Sequence, residues 1–263
     1  MLDLSQLPAP LHEAGTRFWQ QFEQAIVQHP LTPPARLLGN AVSAEDFSSQ
    51  LTRAFVGSEY LAKTCIQYPQ LLLDLIASGE LFSPLRERGY VDLVAAAGAC
   101  QTDVELDKVL RRHRHKAMVR IIWRDLNRMA SMEETTAELS RFADTAIQQA
   151  AAFHYRQLVI QHGVPMGQHS GLAQPFIVLG MGKLGAFELN VSSDIDLIFT
   201  YPEAGHTTND ARQISNQEFF VKLGQRVIKS LDLQTADGFV FRVDMRLRPH
   251  GQSGALTLNF DAM

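Results

Sequence analysis

Hydrophobic periodicity changes character once along these 263 residues, near residue 162, and that change dictates a helical half followed by a sheet-bearing half. Before it, apolar residues recur at spacings of three and four, with few alternating β-branched runs. Phe18, Phe22, Ala25 and Ile26 form one such face. Ser43, followed by Ala44, Glu45 and Asp46, reads as an N-cap with acids in the first turn, and Pro69 opens a helix that ends near Gly79.

A long helix over 103–130 gathers Leu106, Leu110, Ala117, Met118, Ile121, Ile122 and Met129 on one side. On the other side Arg112, Lys116, Arg120, Arg124 and Arg128 recur every four residues, a row that winds by about 40° per step. This row predicts a solvated helix face with acidic neighbours as partners; a phosphate-facing or partner-facing role is the alternative. His113 and His115 lie within it and are expected exposed, since no acidic or cysteine partner stands at ligand spacing. A second long helix runs over 132–161, with Leu139, Phe142, Ala146, Ile147 and Phe153 as its apolar residues and Gly163 as its stop.

"HGVPMGQHSGLAQP" at 162–175 then reads as a surface connector, and the domain boundary falls there, between a helical region over 1–165 and a second domain over 166–263. Strand signals follow: "FIVLG" at 176–180, "DLIFTY" at 196–201 and "FVFRVDMRLR" at 239–248, with a helix over 214–231 between the last two. The charge balance, 24 Lys+Arg against 28 Asp+Glu, offers a polyanion no overall attraction, so nucleic acid is not the expected partner. Cys65 and Cys100 lack metal-ligand spacing and suit buried thiols in a reducing compartment. With no leader-like start and no apolar run of membrane-spanning length, the expectation is a soluble, cytoplasmic protein.

The stretch "GMGKLGAFELNVSSDIDLIFTY" at 180–201 contains two motifs that compete for the same residues. Gly180, Gly182 and Gly185 spell the G-x-G-x-x-G of a dinucleotide fold, which needs a crossover helix to a parallel second strand. Too few residues separate Gly182 from the next strand, and Asn190, Ser192 and Ser193 are turn formers. The D-x-D of Asp194 and Asp196 accounts for more. On a strand both project from one face, about 7 Å apart, while Ile195 and Leu197 point into the core. Two such carboxylates can share a pair of Mg²⁺ ions, which serve phosphoryl transfer by stabilising the attacking and leaving oxygens. An Asx turn leading into the strand would explain Asp194 but not Asp196.

Asp244 adds a third acid, interrupting an apolar alternation, with Arg242, Arg246 and Arg248 alternating onto its face. One acid beside guanidinium forks suits a metal ion next to phosphate oxygens; mutually neutralising surface charges are the alternative. The glycines then have another use: a Gly-rich turn lets backbone N–H groups and Lys183 approach phosphates, with Ser192 and Ser193 as hydroxyl donors.

These residues resemble the DNA polymerase β nucleotidyltransferase superfamily, in which a hydrophobic strand, Gly-x-x-Gly and then Ser-Asp-Ile-Asp-Leu recur. "GMGKLGAFELNVSSDIDLIF" with "DGFVFRVDMRLRPHGQSGAL" is similar, more specifically, to the glutamine synthetase adenylyltransferase family. Lys183 stands where many superfamily members have serine, and Ala186 where a second glycine is common. The resemblance implies an α+β fold: an N-terminal helical region, then a polymerase β-like nucleotidyltransferase core with a small mixed sheet, truncated at its C-terminal end. "LRRHRHKAMVRIIWRDL" and "ELSRFADTAI" are similar to the N-terminal, AMP-removing half of that family.

The implied reaction is phosphorolysis of adenylylated glutamine synthetase, giving ADP. Asp194, Asp196 and Asp244 would be the catalytic metal ligands for two Mg²⁺ ions. Gly182, Lys183, Gly185, Ser192, Ser193, Arg246 and Arg248 would bind the nucleotide, an AMP moiety with ADP or ATP. Adenylylation from ATP, or nucleotide binding without turnover, are the alternatives. Glutamine synthetase is the implied partner, and the PII signalling protein one that acts through the full-length enzyme.

Overall fold

The structure, a computed structural model, describes residues 8–29, 31–39, 42–85 and 89–263. It divides into two compact units, one of residues 1–87 and 114–139, the other of residues 88–113 and 140–263. Two long helices, Asp103–Leu126 and Met132–His162, give residues to both.

In the first unit, α1 (His12–Gln28), α2 (Ala44–Gly57), α3 (Glu59–Gln67) and α4 (Pro69–Ala77) follow one another. Their starts are written in the sequence. Ser43 caps α2 by accepting the Asp46 N–H at 3.0 Å, Ser58 caps α3 by accepting the Leu61 N–H at 3.2 Å, and Pro69 opens α4. Phe18, Phe22, Ala25 and Ile26 are buried, and Phe22 meets Phe55 edge-on with ring centroids 5.4 Å apart.

The basic row behaves differently from the solvated face expected. In the second unit α5 (Val91–Ala99) precedes α6 (Asp103–Leu126), whose residues from Arg114 onward belong to the first unit. Arg120 and Arg124 are only 3% and 2% exposed. Arg120 is paired with Glu138 and donates to the carbonyl oxygens of Glu80 at 2.8 Å and Ser83 at 2.5 Å. Arg124 meets Glu134 at 2.7 Å, and Lys116 meets Glu80 at 2.8 Å. Acidic partners were the right expectation at Lys116, Arg120 and Arg124; solvent was the wrong one at Arg120 and Arg124, whereas Arg112 and Arg128 are exposed as expected. A guanidinium can be buried when acceptors meet its donors. At Arg120 a carboxylate and two loop carbonyls take all three nitrogens, whereas Arg124 spends one terminal nitrogen on Glu134 and the Met129 carbonyl and leaves its Nε without a partner. His115 is also half-buried rather than exposed, with its Nδ1 3.1 Å from the Tyr60 hydroxyl, and His113 is half-buried with its Nδ1 2.8 Å from the Val109 carbonyl.

The second unit continues with α7 (Met132–His162, from Ser140 onward), β1 (Pro165–Gly167), β2 (Ile177–Met181), α8 (Gly182–Gly185), β3 (Ile195–Tyr201), β4 (Gly205–Thr207), α9 (Asn216–Asp232), β5 (Val243–Asp244) and β6 (Thr257–Asn259). The chain is α+β, as the resemblance implies. The stretch read as a connector is partly ordered into strand, since β1 pairs antiparallel with β4. In the four-stranded sheet, β3 pairs antiparallel with β2 along one edge. Along the other it pairs in parallel with β5 at its start and β6 at its end. Parallel pairing needs a crossover, and α9 provides it.

Ser215 caps α9 by accepting the Glu218 N–H at 3.1 Å. Phe219, Phe220, Leu223, Val227 and Leu231 are fully buried, as their spacing predicts. Tyr201 stacks on Phe220 at 4.4 Å, and Gly224 lies so near Phe199 that a Cβ there would stand 2.8 Å from the ring.

The strand expected over 239–248 is two residues long. Its early end has a local cause: the Asp244 side chain accepts the Arg246 N–H at 2.8 Å, an Asx-type bond that turns the chain out of the ladder. Arg246 and Arg248 therefore do not reach the Asp244 face by strand alternation.

The approach to β5 is held from α6 by Arg111, which is 1% exposed. It donates to the carbonyls of Leu233 at 2.5 Å, Gly238 at 2.9 Å and Ser230 at 3.4 Å, satisfying acceptors at and beyond the end of α9. Arg111→Ala would take this donor from the Leu233 and Ser230 carbonyls, while the Gly238 carbonyl keeps the Thr235 N–H and hydroxyl, and would open a void. A loss of about 2–4 kcal/mol is expected by urea denaturation, with Lys restoring only part of it.

His154, 1% exposed on α7, shares a 2.9 Å hydrogen bond with the Ser230 hydroxyl. Burial pulls its pKa from 6.5 down to about 4, against an opposing pull from Asp103. The unfolded chain takes up this proton near pH 6.5 and the folded chain does not until about 4. Stability should therefore fall as pH drops through this window, and His154→Gln should flatten the slope of the denaturation midpoint there.

Candidate active site

Burial along β3 alternates at the point where chemistry is expected: Ile195 and Leu197 are fully buried, Asp194 is exposed and Asp196 half-buried. β5 brings the third acid alongside. Asp244 is the direct partner of Asp196 in the parallel register, so the two Cα atoms are separated by one strand spacing, about 5 Å, and their side chains share a face. Asp194 lies just before the ladder and two residues from Asp196, on that same side. Asp196 and Asp244 are thus register partners, with Asp194 one residue short of the ladder.

Two arginines hold them. Arg242 donates from Nε to Asp194 Oδ1 at 2.5 Å and from a terminal nitrogen to the Ser192 carbonyl at 2.9 Å. Arg246 places Nε 2.7 Å and a terminal nitrogen 2.5 Å from Asp244 Oδ2. The Arg246 side chain and N–H together hold the Asp244 carboxyl below the usual carboxylate range. All three acids in turn favour the charged form of Arg246, Asp244 most strongly and then Asp196 and Asp194.

Asp196 is backed by Gly182. This glycine has φ +54°, and a Cβ on it would stand 2.9 Å from Asp196 Oδ2, so only a residue without a side chain lets the backbone come this close. The Gly-rich turn expected after β2 is a single helical turn, α8, with Leu184 buried. Gly185 closes it against the Gly180 carbonyl, which a Cβ would meet at 2.6 Å. Lys183 points its Nζ to Ser193 Oγ at 3.4 Å, and Asn190 accepts from Ser193 at 2.7 Å and from Ser192 at 3.5 Å.

Of the residues singled out from sequence, Asp194, Asp196, Asp244, Gly182 and Arg246 come together, with Lys183, Ser192 and Ser193 on the adjoining turn. Arg248 turns to its own loop, donating to the carbonyls of Met245 at 2.8 Å and Gly254 at 3.4 Å. Sequence reasoning grouped Arg242 with Arg246 and Arg248 as guanidinium forks beside Asp244 and missed its bond to Asp194. The available signal was its position two residues before Asp244, which the register sets opposite Asp194. Asn190, which organises both serines, was read only as a turn former.

Among the described residues no three His, Cys, Asp or Glu side chains are gathered closely enough to hold a metal ion as they stand, and Asp194 and Asp244 are each turned to a guanidinium group. The donor set itself, carboxylate oxygens only, fits a hard divalent cation such as Mg²⁺. The sheet's opposite face looks into a separate cavity of about 430 Å³, lined in part by Val178, Leu197, Asp144 and Tyr155. It does not communicate with the acids through the sheet, since Leu197 and Asp196 point to opposite sides.

The sequence profile of the family described as Glutamate-ammonia ligase adenylyltransferase matches residues 48–263. A protein of Pseudomonas syringae pv. tomato is 51% identical over 263 residues, covering 99% of this chain and 26% of its own length. Similar proteins of Pseudomonas putida, 46% identical over 262 residues with 98% and 26% covered, and of Nitrosococcus oceani, 44% identical over 263 residues with 99% and 26% covered, follow the same pattern. Each is named a bifunctional glutamine synthetase adenylyltransferase/adenylyl-removing enzyme. The chain spans about a quarter of the length of these curated relatives.

Gly182→Ala should lower the urea midpoint by more than Gly171→Ala, a control at φ +64° with nothing near its missing Cβ. The control isolates the conformational cost, about 1–2 kcal/mol, and the excess reports the contact with Asp196.

Proposed function

The chain belongs to the glutamate-ammonia ligase adenylyltransferase family, and on that premise we propose that its residues 166–263 form a nucleotidyltransferase core that removes AMP from the adenylylated tyrosine of glutamine synthetase by phosphorolysis. One observation carries the chemical part of this reading: the register that sets Asp244 beside Asp196, with Asp194 on the same face. The direction, removal rather than addition, rests on the likeness of the upstream helical segments to the AMP-removing half of the family.

In this reading an oxygen of orthophosphate attacks the α-phosphorus of the adenylyl group. The new P–O bond makes ADP, and the bond to the tyrosine oxygen breaks. The phenol, with a pKa of about 10, is a tolerable leaving group, and orthophosphate is already ionised at neutral pH. Positioning and charge compensation then matter more than a strong base. Asp194, Asp196 and Asp244 would hold Mg²⁺, which when bound compensates charge on the attacking and leaving oxygens. The α8 turn lets backbone N–H groups approach phosphate oxygens at Gly182 and Gly185, and Lys183, Ser192 and Ser193 extend donors to the same place. Arg246 offers a planar fork to the ADP phosphates, and Arg248 braces the loop that carries it.

Glutamine synthetase is the protein substrate in this reading, and the PII signalling protein would act through the full-length enzyme. Such a reaction belongs in the cytoplasm; no helix among the described residues is long and apolar enough to cross a membrane.

Incubation with adenylylated glutamine synthetase, phosphate and Mg²⁺ should yield ADP. Asp196→Asn should cut that rate by more than about a hundredfold, beyond the usual cost of losing an outer partner of a metal ligand, with the denaturation midpoint little changed. Near-normal ADP formation by this variant, or pyrophosphate release from ATP and unmodified glutamine synthetase in place of ADP formation, would overturn the proposal.

A further inference from the structure

The two arginines at the acid cluster are bound in different ways. Arg242 is tied at two independent points, the Asp194 carboxylate and the Ser192 carbonyl. Arg246 spends its fork on one atom, Asp244 Oδ2, and its side chain is 72% exposed against 14% for Asp244. The exposed partner can swing into solvent and the carboxylate cannot. Asp244 Oδ1 meanwhile accepts the Arg246 N–H, a bond that survives when the guanidinium leaves.

We propose that Arg246 is an exchangeable latch, occupying the Asp244 oxygen that a divalent cation must take, whereas Arg242 is a fixed positioning residue that keeps Asp194 aimed at the same place. This rests on the metal reading above. Three carboxylates at strand spacing repel one another, and the Arg246 charge relieves that repulsion while no cation is bound. Once the fork swings away, Asp244 would offer Oδ2 to a cation while Oδ1 stays on the Arg246 N–H. The released Arg246 fork would have its donors free for phosphate oxygens, so that cation and phosphate would favour one another's binding. With the Arg246 side chain largely in solvent this pair is screened enough for the exchange, and Asp194 would keep its second oxygen for the cation while Arg242 stays in place.

The test is Mn²⁺ affinity of the purified chain by electron paramagnetic resonance titration, with no nucleotide present. Wild type should bind Mn²⁺ weakly, and Arg246→Ala should bind it roughly three- to fivefold more tightly, the range set by exposed ion pairs. Arg242→Ala removes the same charge from the same cluster but should fail to tighten binding, because Asp194 loses its aim. Lys183→Ala removes a nearby charge paired with none of the acids and should change affinity less than Arg246→Ala. Equal tightening in all three variants would reduce the effect to a general field and overturn the latch, as would unchanged or weaker binding in Arg246→Ala. Mn²⁺ binding that survives Asp196→Asn, or its absence from every variant, would overturn the metal reading and the latch with it. Binding that requires Asp196 yet is indifferent to Arg246 would overturn the latch alone.

Discussion

Two residues of parallel ladder carry the candidate site. Val243 and Asp244 pair with Ile195 and Asp196, and with that pairing the third acid stands next to the other two. So short a strand contributes little pairing of its own, and its register depends on what flanks it. On the upstream side the Ile195 N–H donates to the Arg242 carbonyl at 2.9 Å, while the Arg242 side chain grips Asp194. On the downstream side the Asx-type bond of Asp244 turns the chain away. A slip by one residue would send Asp244 to the buried face and bring Val243 up between the acids.

The helix starts were legible because a capping serine is a local signal, decided within four residues. The acids of β3 were legible because alternation on a strand is equally local. The burial of Arg120 and Arg124 within the basic row was missed because their environment depends on residues 80, 83, 134 and 138, which no helical wheel of α6 contains. A stripe of arginines looks the same in sequence whether it meets water or buried carboxylates. The length of β5 was misread for a different reason. The alternating pattern of 239–248 favours a strand, yet one carboxylate competing for the Arg246 N–H ends it. That same side chain is both the acid expected at the site and the cause of the turn, and pattern alone does not separate the two roles.

The opening ambiguity of the glycine motif has a physical answer in the described geometry. Gly182 yields its side chain so that backbone and the Asp196 carboxylate can touch, and Gly185 yields its own so that α8 can close on the Gly180 carbonyl. Neither use requires a dinucleotide. The G-x-G-x-x-G spacing arises because one tight turn must leave a strand and come back over an acid on the neighbouring strand.

Arg111 has a consequence for motion. The turn between α9 and β5, hydrogen-bonded within itself between Thr235 and Gly238, is the kind of surface excursion that ordinarily breathes by itself. Here its carbonyls are held by a guanidinium rooted in the interior of the second unit. Opening the turn strands a buried cation, so its fluctuations are slaved to α6. The approach to Asp244 inherits the rigidity of a core helix, and solvent exchange at its amides should keep time with that helix rather than with a loop.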